Sequence, residues 1–279
     1  MMRRMYEPDR LIEVDDVTIA VDDRNVDAGG VPLVLVHGYT GSRLDFVDVI
    51  DELAVDRRVV AWDHRGHADS TSTGDQSTYT FDRLVADMEG VLAALGIDRM
   101  DLLGHSMGGI ISMRFALAHP ERIRSLVLMD TLAAWEGVIP DGFIQLMAET
   151  AREKGMPAYT ESVVRYEQSL DRVPAADKAR VIDRTRYKMT HMDIEAIDAL
   201  GRALTSFPSM LDALPTLRCP TTVLVGESDT PLLPAADAIA KAIAGAVEVV
   251  IPGAAHCPQE ERPDLWLAAV RDHLARAEA

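Results

Sequence analysis

The residues best suited to chemistry are Gly104-His105-Ser106-Met107-Gly108. A serine hydroxyl is a weak nucleophile until it is exposed beside a base, and this stretch is built to expose one. Met100 to Leu103 form a short apolar run of the kind a buried strand uses, and from Gly109 the residues Ile110, Met113 and Leu117 recur at helical spacing until Pro120. A chain that turns from strand to helix in so few residues is sharply bent. Gly104 and Gly108 remove the Cβ atoms that would collide there, and Ser106 is left at the tip. A glycine-rich phosphate loop is the competing reading, but neither G-x-G-x-x-G nor a following G-K-[ST] is present.

The elements around this turn alternate. Val31 to Val36, Arg58 to Trp62, Met100 to Leu103 and Ile123 to Met129 read as buried strands, with an amphipathic helix over Phe81 to Leu95. Such alternation argues for a parallel sheet with crossover helices. Residues 11–22 alternate apolar and polar and read as one or two antiparallel edge strands. From Leu132 to Ala213 the pattern breaks. No useful strand appears, and helices are expected over Phe143 to Lys154, Tyr159 to Leu170, Ala175 to Thr190 and Asp193 to Thr205, punctuated by Pro140, Pro157, Pro174 and Pro208. Strands resume at Cys219 to Val225 and Val247 to Ile251.

The G-x-S-x-G turn in this strand and helix context resembles the nucleophile elbow of the α/β-hydrolase family. That resemblance implies an α/β fold with a mostly parallel eight-stranded sheet flanked by helices, a core of residues 1–131 and 214–279, and a helical cap of residues 132–213 after the sixth strand. It implies Asp229, in Gly226-Glu227-Ser228-Asp229, as the acid and His256, on the loop after the last strand, as the base. The chain order Ser106, Asp229, His256 is the family's order. Asp130, at the end of the sixth strand, is a second possible acid, and Glu227 and His37 are weaker rivals for acid and base. The His37-Gly38-Tyr39 loop is similar to the family's oxyanion loop, so the amides of Tyr39 and Met107 would face the developing oxyanion. His64 and His67 beside Asp63 and Asp69 are residue types that bind metals, but Asp63 to Ser70 resembles a structural D-x-R-G-x-G-x-S turn. No metal or cofactor is implied.

The implied chemistry is acyl transfer on a small, largely apolar ester through an acyl-enzyme. A serine at the elbow argues against the alkylated-carboxylate chemistry of haloalkane dehalogenases and epoxide hydrolases. Lactone hydrolysis, carbon–carbon bond hydrolysis and cofactor-free perhydrolysis use the same residues and stay open, as does a ligand-binding receptor with little turnover. Tyr39, Trp135, Phe143, Met147 and His191 are the candidate pocket residues. Arg180, Arg184 and Lys188 recur every four residues, either to attract an anionic substrate or as a solvated face paired with Asp177 and Asp183.

Composition narrows the partners. The 279 residues, 48% of them hydrophobic, are enough for one substantial core. A net charge of −17 repels polyanions, so nucleic acid is not an expected partner. Residues 132–213 hold 13 acids and 10 bases, a net of −3, so the rest carries most of the negative charge. Cys219 and Cys257 fit no metal or disulfide framework. The basic start, MMRRMYEPDR, has no apolar segment after it, and no apolar stretch approaches membrane length, so a cytoplasmic protein is expected.

Overall fold

The computed structural model describes residues 6–135, 137, 142–166 and 168–278. Eight strands form one sheet: β1 (Arg10–Val14), β2 (Val17–Arg24), β3 (Leu33–Val36), β4 (Val59–Trp62), β5 (Met100–His105), β6 (Ile123–Met129), β7 (Thr221–Gly226) and β8 (Val247–Ile251). They lie in the order β1-β2-β4-β3-β5-β6-β7-β8. From β4 to β8 every pairing is parallel. The β1–β2 hairpin adds antiparallel, Val21 opposite Trp62, as the alternation of residues 11–22 led one to expect.

Helices cover both faces. The helices are α1 (Ile50–Leu53), α2 (Phe81–Ala94), α3 (Met107–Ala118), α4 (Phe143–Lys154), α5 (Met156–Tyr166), α6 (Lys178–Thr190), α7 (Ile194–Leu204), α8 (Leu233–Ala242), α9 (Pro258–Glu261) and α10 (Pro263–Glu278). The central strands are buried on both sides, yet they keep a period of two. Val34, Val36, Val60, Trp62, Leu102 and Leu128 pack with α2, α3 and α8. Leu33, Leu35, Val59, Ala61, Leu103 and Val127 pack instead against Trp266, Val270 and Leu274 of α10. Crossover helices bury both faces in this way, and that is why these strands read as unbroken apolar runs.

Helices α4 to α7 all fall between β6 and β7. Three of their expected boundaries shift. α5 starts at Met156 and ends at Tyr166, with a separate 3-10 turn over Gln168–Asp171, and α6 starts at Lys178. Pro157 therefore sits in the first turn of α5, where its missing N–H costs nothing, rather than separating two helices. Among the described residues no helix is long and apolar enough to cross a membrane.

Candidate active site

Three loops at the carboxyl ends of strands meet above the sheet. Ser106 joins β5 to α3 with φ 53° and ψ −120°, a conformation that costs a non-glycine residue energy. Local contacts hold it there. Its N–H donates to the Met129 carbonyl at 2.9 Å, and its own carbonyl accepts from the Thr131 hydroxyl at 2.6 Å. The bend depends on backbone approaching backbone. A Cβ on Gly108 would lie 2.2 Å from the Val36 carbonyl oxygen, and one on Gly104 2.4 Å from the Gly108 oxygen.

Ser106 Oγ lies 3.1 Å from His256 Nε2, and His256 Nδ1 lies 2.7 Å from Asp229 Oδ2. With Nδ1–H donated to the carboxylate, Nε2 is the acceptor that faces the serine hydroxyl. Asp229 is buried, whereas 43% of the His256 side chain is exposed, so the base is accessible to a ligand. The loop carrying the histidine is braced on three sides. Glu261, fully buried, accepts the Ala255 and Cys257 amides on either side of it, and one ring nitrogen of His105 meets the His256 carbonyl at 2.7 Å. Burial, with His256 adding to it, pushes His105 down to about 3, so it stays a neutral prop.

Of the alternative residues, Asp130 stands beside the triad, a carboxylate oxygen within 4.8 Å of ligand atoms of Asp229 and His256. Asp130 Oδ1 accepts the Gly226 amide at 2.8 Å. Burial and the adjacent Asp229 carboxylate raise its carboxyl well above the usual range. Glu227 accepts the Gly253 amide. His37 accepts the His64 amide through Nε2, while Nδ1 contacts the Gly38 carbonyl. His37, His64 and His67 form a buried stack with ring centroids 4.3 to 6.0 Å apart. Burial holds all three below the ordinary imidazole range. Cys219 and Cys257 are free thiols.

Two backbone donors are unspent beside the serine. Met107 N–H is the first of α3, where no helical acceptor exists, and Tyr39 N–H lies in the loop after β3. Neither finds a protein acceptor among the described residues.

A cavity of about 350 Å³ opens onto Ser106, Asp229 and His256. Leu132, Trp135, Val163, Leu170, Met189 and Leu204 give it an apolar wall, and Asp45, Thr185, Lys188 and Glu260 supply polar lining. Of the residues singled out for a pocket, Tyr39 and Trp135 line it. The Tyr39 hydroxyl also donates to the Ile197 carbonyl in α7. Met147 packs among Ala148, Ala151 and Met156 in the helical layer, and His191 is exposed and stacks on Tyr187. Phe143 opens α4, and its side chain lies outside the described residues.

On the basic face of α6, Arg180 is exposed as a solvated face would have it, but Arg184 and Lys188 turn inward. Arg184 is 1% exposed and bonds Asp48 at 2.8 Å and Glu260 at 2.5 Å. Arg180 does pair with Asp177, but also with Asp48, and Asp183 pairs with Arg186. Burial alone would discharge Lys188, but the Asp45 carboxylate outweighs it and holds the ammonium charged. Sequence reasoning had no signal for Asp45, Glu260, Glu261 or the bracing role of His105, since their partners lie far off in the chain.

A family model of the alpha/beta hydrolase fold matches residues 31–263. The chain belongs to the α/β-hydrolase family. Among solved structures, an esterase from Thermogutta terrifontis superposes with a TM-score of 0.80 at 28% identity, over 97% of this chain and 99% of that one. The enol-lactonase from Burkholderia xenovorans LB400 superposes at 0.81 and 25% identity, over 95% and 100%. A proline iminopeptidase of Lactobacillus delbrueckii subsp. bulgaricus is 36% identical over 108 residues, which is 37% of either chain. This α/β hydrolase thus shares its whole fold with ester- and lactone-cleaving enzymes.

Proposed function

We propose that this α/β hydrolase is a serine hydrolase that cleaves a carboxylic ester or lactone of a small substrate through an acyl-enzyme. The observation that carries this reading is the hydrogen-bonded series Ser106, His256, Asp229 at the mouth of a cavity with an apolar wall. His256 Nε2 takes the Ser106 proton as Oγ attacks the carbonyl carbon. Asp229 holds the imidazole in the productive tautomer and stabilises the imidazolium that forms. The unspent Tyr39 and Met107 amides receive the oxyanion, and one such donor is worth about 3–4 kcal/mol of barrier. The imidazolium returns its proton to the leaving alkoxide. Water, activated by the same histidine, then releases the acid.

In this reading residues 132–213 are a cap over a core of residues 1–131 and 214–279, shielding the acyl group from water. The site is a cytoplasmic one for a small molecule. The esterase and the enol-lactonase among its structural neighbours support hydrolysis at an acyl carbon.

Multiple-turnover kinetics on short 4-nitrophenyl esters test the proposal. Sustained release of nitrophenol is expected, with a loss of at least about 10³-fold in kcat on Ser106→Ala. Undiminished turnover by folded Ser106→Ala, or a single burst without steady release, would overturn it.

A further inference from the structure

The basic residues of α6 part company in the folded protein. Arg180 and Arg184 turn to Asp48 and Glu260, and of the three only Lys188 borders the cavity that contains Ser106. The Lys188 side chain is 14% exposed, and Nζ lies 2.6 Å from Asp45 Oδ1. That carboxylate is the one acceptor Lys188 finds among the described residues. An ammonium has three N–H donors, so two are left without a protein acceptor in a largely dry position, where an unmet donor is costly.

The acids that border the same cavity are already hydrogen-bonded. Asp45 is bonded to Lys188 and to the Ser42 amide, Glu260 to Arg184, and Asp229 to His256. An incoming carboxylate therefore meets two open donors, and the acids around it already have hydrogen-bond partners. A carboxylate offers an oxygen to each open donor and makes the stronger, charge-assisted bonds, which a neutral hydroxyl or carbonyl does not.

We propose that Lys188 anchors a carboxylate carried by the substrate, so that the preferred substrates are hemi-esters or lactones derived from short dicarboxylic acids. This rests on the reading of the cavity as the site of ester cleavage. The scissile carbonyl sits at Ser106, the methylene chain runs along the apolar wall, and the free acid ends at Lys188.

The test pairs 4-nitrophenyl hemi-esters of succinic, glutaric and adipic acids with the same compounds capped as neutral methyl esters. In the wild type, kcat/KM for the hemi-ester exceeds that of its capped partner, most strongly at one chain length. This ratio falls by about tenfold to a hundredfold in Lys188→Met, the range for a hydrogen bond to a charged group, and largely survives in Lys188→Arg. Lys188→Met leaves Asp45 buried without its cation, so the double variant Lys188→Met/Asp45→Asn is measured beside it and loses the ratio equally. Calorimetric binding of both compounds to Ser106→Ala reads the same preference without turnover. A wild-type ratio at or below one, or binding to Ser106→Ala that is indifferent to the free acid, would overturn the anchor. Hydrolysis persisting in Ser106→Ala would instead remove the nucleophile, with the anchor still judged by binding.

Discussion

His64 allows acid sensitivity to be assigned to a single ring. It is wholly buried among His37, His67 and Trp62, and neither ring nitrogen has a hydrogen-bond partner among the described residues. Burial, with His67 adding to it, pushes it down to about 3 from 6.5. Between those two values the unfolded chain binds a proton at this position that the folded chain refuses, so stability is lost as pH falls below 6.5. At pH 5.0 the gap from 6.5 is 1.5 units, which at about 1.36 kcal/mol per unit is about 2 kcal/mol. His64→Phe keeps an aromatic ring in the stack and removes the titration. Urea unfolding of both proteins at pH 7.5 and pH 5.0, followed by tryptophan fluorescence, gives two pH-dependent losses of stability. The variant's loss should be smaller by about 2 kcal/mol. His67 and His105 are shifted the same way by groups present in both proteins, so they cancel in the comparison, and the part of the His37 shift that His64 causes is removed along with His64. Equal losses in the two proteins would refute the assignment of this acid sensitivity to His64.

Two further substitutions probe the bend and the histidine loop. Gly108→Ala drives a Cβ into the Val36 and His37 carbonyl oxygens, which are backbone and cannot rotate away. The expected cost is about 3 kcal/mol or more, read as a fall in Tm of more than roughly 6 °C. A Tm within about 2 °C of wild type would deny the close approach. Glu261→Ala frees the two amides that flank His256. We expect kcat to fall about tenfold or more with KM little changed, and Glu261→Gln to restore part of the loss because its amide oxygen still accepts. A change confined to KM would place Glu261 outside the support of the base.

What was legible in the sequence was local. The elbow was readable because its causes lie within a few residues: an apolar strand, two glycines and an apolar helix. The strands were readable because burial on both faces leaves unbroken apolar runs, and β1 and β2 because one side of each alternates. The lining of the cavity was not, since it depends on which face of each inserted helix turns inward. Met147 and Trp135 are alike in hydrophobicity, yet one fills the helical layer and the other borders the cavity. Arg184 looked like one more surface charge because its partners, Asp48 and Glu260, lie 136 and 76 residues away. Helical spacing reports only neighbours on the same helix. Asp130 and Asp229 were both plausible acids in the sequence, and their separate partners are set by how β6 and β7 pair rather than by composition.

The inserted helices are pinned to the sheet by contacts that salt reaches poorly. Tyr39 holds Ile197, Asp193 holds the Gly66 carbonyl, and Lys188 and Arg184 reach Asp45 and Asp48. Buried pairs of this kind resist ionic screening. Drawing the inserted helices away from the sheet would therefore mean breaking several buried bonds at once, a cost that keeps this layer moored in strong brine as well as in dilute buffer.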